Sequence, residues 1–274
     1  MSADNPEVAN SVQTGNFKTN YHDEGNGDPV FLIHGSGPGV TAWANWRFTI
    51  PVLSEKFRVI APDMVGFGFT EKPENIKYSM DTWVQNAIDL MDALDIEKTH
   101  LIGNSFGAAL SVALTLRYPE RVNKLVLMGG VGTGFQLTEG LDAVWGYEPS
   151  IENMKKLLDI FAFNRAIVTD ELAELRYEAS IQPGFQEAFS SMFPAPRQRW
   201  VDSMAATESD VKTIEQETLV IHGREDMVIP LSASYKMAEL ISKSQLHVFG
   251  QCGHWTQIEH KDRFNTLLLN FFSE

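Results

Sequence analysis

The sequence predicts an α/β protein built on a mostly parallel central sheet flanked by helices. Three observations predict it. Apolar runs of strand length recur along the 274 residues. They are apolar throughout instead of alternating, as strands covered on both faces must be. Stretches with helical periodicity separate several of them, and that order of elements makes a parallel sheet.

Taken in order, "NFKTNYHDEGNGDPVFLIHG" reads as two strands joined by a turn, with Gly25, Asn26, Gly27, Asp28 and Pro29 as its turn residues. This gives the fold an N-terminal antiparallel hairpin. Buried strands follow at "VFLIH" (30–34), "FRVIAPD" (57–63), "THLIGNS" (99–105), "VNKLVLMG" (122–129), "ETLVIHG" (217–223) and "QLHVFG" (245–250). The segment 78–96 places Trp83, Ala87, Leu90, Met91 and Leu94 at helical spacing, and "FGAALSVALTLRYPE" reads as a helix closed by Pro119. One interval breaks the alternation. Residues 131–210 hold no convincing strand but helical stretches at 150–163 and 169–181, with Ser150 and Thr169 as N-caps. The interval is rich in aromatics, among them Trp145, Phe161, Phe163, Tyr177, Phe189 and Trp200. An insertion after a central strand arrives where ligands bind in open α/β sheets. We therefore read 131–210 as a helical cap (lid) on a core made of 1–130 and 211–274. Most of its rings would form the cap's own core.

Composition narrows the function classes. The net charge of −14 repels phosphate backbones, so no nucleic-acid partner is expected. There is no apolar run of 18 residues or more, so no membrane span is expected. The opening "MSADNPEVANSV" lacks the basic and apolar regions of a secretory signal. Cys252 is the only cysteine, which excludes an intrachain disulfide and suits a reducing, cytoplasmic location.

The chemistry centres on Gly103-Asn104-Ser105-Phe106-Gly107. A short G-x-S-x-G pattern proves little alone, but this one sits at a strand-to-helix corner. Such a turn lifts the hydroxyl above the sheet, and flanking glycines let neighbouring backbone pass close by. A serine hydroxyl needs a base, and the base needs an orienting group. His22, His34, His100, His222 and His247 fall in or beside strands, and His260 falls in the last helix; each reads as structural. His254 differs, in a glycine-flanked loop after the last strand, and Asp226 likewise follows a strand. The order Ser105, Asp226, His254 is that of α/β-hydrolases. An oxyanion hole needs the N–H after the nucleophile, from Phe106, and another from an early glycine-rich loop, for which Ser36 is the candidate. That loop, "HGSGPGVTAWANWR", lacks the endings of a P-loop or a dinucleotide site. No metal or other cofactor is expected, because His254 has no second histidine at ligand spacing and one cysteine cannot make a zinc cluster.

Together "HGSGPGVTAWANWR", "APDMVGFGFT", "GNSFG", "LRYEASIQPG", "IHGRED" and "VFGQCGHWTQIEH" resemble the meta-cleavage product hydrolases of bacterial aromatic degradation, from the first strands to the last helix. The likeness is greatest to the branch acting on monocyclic-aromatic products. It implies an α/β-hydrolase fold that cuts a carbon–carbon bond in a 2-hydroxy-6-oxo-2,4-dienoate, a small anionic substrate. It also implies a homo-oligomer. Asn104 matches the family's G-N-S-x-G, and Trp255 its Trp after the catalytic histidine. Arg176, which alone would read as a solvated helix residue, matches a cap arginine, and Asn45 a residue beside the dienoate. Some relatives have Gly at the Ser36 position, where only the backbone N–H is needed. The resemblance favours a serine-centred route and hydrogen or a small alkyl group at C6. Other readings are a carboxylesterase, against which Asn104 and Trp255 speak, and a non-turnover ligand receptor, against which the full triad speaks. Epoxide hydrolases and haloalkane dehalogenases carry Asp at the nucleophile corner.

Overall fold

The computed structural model describes residues 5–273; the first four residues of the stretch read above as lacking a signal, and the final residue, lie outside it. Eight strands form one sheet: β1 (Asn10–Thr14), β2 (Phe17–Glu24), β3 (Pro29–Ile33), β4 (Arg58–Pro62), β5 (Thr99–Asn104), β6 (Val122–Met128), β7 (Glu217–Gly223) and β8 (Ser244–Phe249). Their order is β1-β2-β4-β3-β5-β6-β7-β8. From β4 to β8 the neighbours are parallel, while β1 and β2 are antiparallel additions at one edge. This is the α/β-hydrolase fold.

The hairpin needs a correction. Its strands are β1 and β2, joined where Gly15 takes a positive φ of 58°, whereas β2 pairs next with β4 and never with β3. The glycines at 25 and 27, with φ of 81° and 111°, do turn the chain from β2 into β3, but those two strands do not pair. A Cβ on either would overlap backbone carbonyls of the 54–57 segment.

Side chains on successive strand residues enter two separate apolar layers. Phe31, Ile33, Leu101, Leu125 and Leu127 join the layer formed with helices Met80–Ala93 and Phe106–Arg117. Val30, Leu32, Ile102, Val126 and Met128 join the layer formed with Ala42–Trp46, Ile50–Leu53 and Lys261–Ser273. Both strand faces are therefore dry, which is why the runs read as continuously apolar.

Between β6 and β7 the described residues contain helices and no strand. Ser150 and Thr169 cap two of them, accepting from Asn153 N at 3.0 Å and Leu172 N at 3.1 Å. His260 is not inside the last helix; it lies between Thr256–Glu259 and Lys261–Ser273, with its ring Nε2 3.2 Å from the Gln251 carbonyl. Among the described residues, no helix is long and apolar enough to cross a membrane.

Candidate active site

Ser105 links β5 to helix Phe106–Arg117 with φ 55° and ψ −112°, a conformation that non-glycine residues rarely adopt. Neighbouring backbone holds it there. Its N–H donates to Met128 O at 2.8 Å, and its carbonyl accepts from Val131 N at 3.3 Å. The glycines on either side are sterically required. A Cβ on Gly103 would overlap Gly107 O, and one on Gly107 would overlap Ile33 O. Helix and strand thus approach too closely for any side chain at these positions.

The same stretch after β6 also borders His254 and Asp226. A Cβ on Gly129 would sit 3.3 Å from Asp226 Oδ2 and from His254 Nδ1, so the residue following Ser105's backbone partner touches the other two groups. His254 Nδ1 lies 2.7 Å from Asp226 Oδ2. The other carboxylate oxygen accepts from Val228 N at 2.7 Å and Ile229 N at 2.9 Å, and His222 Nε2 stands 3.4 Å from Oδ2. Burial opposes the Asp226 charge, but the two imidazoles and the Ile229 N–H outweigh it and hold the carboxyl below its ordinary range. An ionised Asp226 in turn keeps the His254 proton on Nδ1 and leaves Nε2 free to accept one.

Phe106 and Ser36 supply the candidate oxyanion donors. The N–H of Phe106 is the first of its helix and has no intrahelical acceptor. Its ring points away into the core, edge-on to Trp83 at 4.7 Å. Ser36 lies in the loop after β3, where a Cβ on Gly35 would be 3.3 Å from Ser105 Cβ. Side chains from distant segments fix this loop. Asp63 accepts from Ala42 N at 2.6 Å, Phe69 N at 2.8 Å and Asn20 Nδ2 at 2.9 Å; burial nevertheless pushes its pKa up to about 6. Trp145 Nε1 donates to Ser36 Oγ at 3.0 Å, and Arg176 Nη2 donates to Gly39 O.

Six of the expected site residues line one cavity: Ser36, Asn45, Asn104, Arg176, His254 and Trp255. Ser105, which borders the lining residue Gly35, is not itself among the lining residues, nor are Phe106 and Asp226. Asn104 Nδ2 donates to Asn45 Oδ1 at 3.3 Å, which sets the two amides side by side. Arg176 is not a solvated helix residue. It is largely buried, and the Glu7 carboxylate, 3.9 Å from Nη1, partly offsets the lowering of its pKa by burial. Met154, Leu158 and Phe161 make the apolar side of the cavity. The Phe161 ring stacks on Trp255 at 5.0 Å. Sequence reasoning placed Trp145 and Phe161 only within an aromatic-rich interval, and took His34, which touches Gly35, for structural. Among the described residues, no group of three or more His, Cys, Asp or Glu is arranged to hold a metal ion.

Comparison with known proteins places this geometry in a family. The alpha/beta hydrolase fold family matches residues 28–261. The chain is 58% identical to a 2-hydroxymuconate semialdehyde hydrolase of Pseudomonas sp. strain CF600, over 98% of this chain and 95% of that protein. It is also 58% identical to a 2-hydroxy-6-oxo-2,4-heptadienoate hydrolase of Pseudomonas putida strain F1, over 100% and 99%. Its structure superposes with a TM-score of 0.97 on a serine-to-alanine variant of the meta-cleavage product hydrolase from Pseudomonas fluorescens IP01, complexed with acetates. That pair is 65% identical and covers 98% of this chain and 99% of the other. Four lines of observation therefore agree: the sheet order, the strained serine corner, the Asp226–His254 pair and the full-length likeness. This chain belongs to the α/β-hydrolase fold family and, within it, to the meta-cleavage product hydrolases.

Proposed function

We propose that this chain hydrolyses the C5–C6 bond of a 2-hydroxy-6-oxo-2,4-dienoate ring-fission product, yielding 2-hydroxypenta-2,4-dienoate and a carboxylic acid. The observation that carries it is the cavity, which sets an arginine and two amides opposite a histidine paired with a buried carboxylate. Arg176 takes the substrate carboxylate, a cation for an anion in a protein of net charge −14. Asn45, Asn104 and Trp255 flank the diene. The dienol first becomes the 2,6-dioxo tautomer, in which the carbon chain beyond the ketone can leave as a stabilised carbanion. Ser105 then attacks C6 while His254 takes its proton and Asp226 supports the imidazolium. The N–H groups of Phe106 and Ser36 hold the oxyanion, each contributing about 3 kcal/mol to the transition state. The C5–C6 bond breaks and its electron pair passes through C5 to the C2 oxygen, which takes up the proton as 2-hydroxypenta-2,4-dienoate leaves, and water then releases the acid from Ser105.

In this reading residues 131–210 are the cap, since Trp145 and Arg176 reach from it to the oxyanion loop. The protein works without a cofactor, as a cytoplasmic homo-oligomer. The names of the two relatives describe a semialdehyde and a heptadienoate, with hydrogen or methyl at C6. Phe161, Leu158 and Met154 fill the cavity's apolar side, which suits the same small groups. The test is a spectrophotometric panel of ring-fission products carrying hydrogen, methyl, isopropyl or phenyl at C6. The highest kcat/KM is expected with hydrogen or a small alkyl. A preference for phenyl overturns the substrate assignment, and turnover of esters without dienoates overturns the reaction.

A further inference from the structure

The peptide joining Gly35 to Ser36 stands directly beside the nucleophile corner. A Cβ on Gly35 would lie 3.3 Å from Ser105 Cβ and 3.4 Å from Asn104 Nδ2. A side chain there would sit tightly against both, and glycine also leaves the adjoining backbone torsions free. In a trans peptide the C=O and the following N–H point in opposite directions. Whatever holds the Gly35 carbonyl therefore decides where the Ser36 N–H points.

His34 holds it. Its Nδ1 lies 2.8 Å from Gly35 O, and its Nε2 lies 3.0 Å from the Met64 amide nitrogen. A carbonyl only accepts and an amide N–H only donates, so the ring carries its single proton on Nδ1. Burial favours that neutral form, and His34 has its pKa lowered to about 4. The ring is also locked in place. Phe67 packs edge-on against it at 5.0 Å, and Phe67 in turn packs on Phe106 at 5.5 Å, the residue that supplies the other candidate donor. From the cap side, Trp145 fixes the Ser36 hydroxyl.

We propose that His34 is a positioning residue for the oxyanion hole, its Nδ1–H holding the Gly35 carbonyl so that the Ser36 N–H faces the reacting oxygen above Ser105. The inference rests on the roles given above to Ser105 and Ser36. His34 itself touches no substrate; it acts through the peptide.

Two substitutions separate this role from a purely structural one. In His34→Asn the amide nitrogen stands near the place of Nδ1 and can still donate to Gly35 O. In His34→Gln the amide reaches the place of Nε2 instead, so Met64 N keeps an acceptor while the Gly35 carbonyl loses its donor. Each variant keeps one hydrogen bond of two and loses the ring's contact with Phe67, so similar Tm values are expected. Removing an oxyanion donor outright costs about 10²–10³ in kcat. Misdirecting one should make His34→Gln at least about 30-fold slower than His34→Asn on the preferred dienoate, with KM values within about threefold. Equal kcat for the two variants would overturn the proposal. A readout on the native protein needs no variant to fold. The ¹⁵N spectrum of imidazole-labelled protein between about pH 6 and 8 should show His34 protonated on Nδ1 and bare on Nε2. A proton on Nε2 would overturn the clamp. Ser105→Ala in the same assay tells the two levels apart. If it is inactive and the His34 variants still match, only the clamp fails. If it stays active, the underlying site assignment fails and the clamp with it.

Discussion

The Ser105 corner and the loop from His34 to Thr41 stand side by side, and different forces hold them. At the corner the backbone itself is the constraint. Gly103 and Gly107 press against the main chain of helix and strand, and Ser105 sits at a positive φ because its neighbours leave no other path. In the loop Gly37 meets nothing within 4 Å, and although Gly39, at φ 66°, presses on the backbone of residues 179–180, side chains do most of the holding: His34 on Gly35, Trp145 on Ser36, Arg176 on Gly39 and, just beyond the loop, Asp63 on Ala42. Two of these four come from the segment between β6 and β7. The position of Ser105 is therefore built into the sheet, whereas the neighbouring Ser36 is held by groups that include residues between β6 and β7.

One methyl group added to each of the two segments should have very different effects. Gly107→Ala puts a Cβ into the Ile33 carbonyl oxygen. Overpacking against backbone costs about 3 kcal/mol, or roughly 6–12 °C in Tm for a chain of this size. Gly37→Ala, in the neighbouring loop, meets nothing within 4 Å. It should stay within about 0.5 kcal/mol of the native protein. Thermal unfolding checks both. Equal losses would mean that the two corners are constrained alike.

Arg176 sharpens the comparison from the ligand's side, because it both anchors Gly39 and faces the cavity. One guanidinium nitrogen serves the carbonyl, which leaves further N–H donors for a carboxylate. Arg176→Ala should lower kcat/KM on the dienoate about 10- to 150-fold more than on a neutral p-nitrophenyl ester, the worth of one charge-assisted hydrogen bond. The ester measures the loss from the loosened loop alone. Equal losses on both substrates would leave Arg176 with only the anchoring role.

The same contrast explains what could be read in the sequence. A steric requirement leaves its mark on residue type, so G-x-S-x-G was legible, as were Asp226 and His254 in loops after their strands. Continuous apolar runs revealed β3 to β7 because both faces of those strands are largely dry, and the half-exposed β8 was still marked by Leu246, Val248 and Phe249. β1 was missed because "NSVQT" is a mostly exposed edge strand without an apolar pattern. The turn at 25–29 was then read as a hairpin turn, although the strands it joins, β2 and β3, do not pair. His34 gave no signal of its role, since both its partners are backbone atoms that every residue possesses. For Trp145 and Phe161 the aromatic-rich interval was plain. Which rings reach the cavity depends on how the helices dock, and local sequence does not encode that.

The central claim is that Ser105 is the attacking group. Its most direct test is stopped-flow absorbance of Ser105→Ala mixed with the preferred dienoate. The variant should fold as the native protein does, because one small side chain replaces another at 3% exposure. Arg176, Asn45, Asn104 and Trp255 are untouched, so the coloured substrate should still bind. Product formation should fall by about 10³-fold or more, as when other triads lose a member. A bound, coloured dienoate that persists is the predicted result. Turnover above about a tenth of the native rate would contradict it, since removing an essential nucleophile costs far more than that.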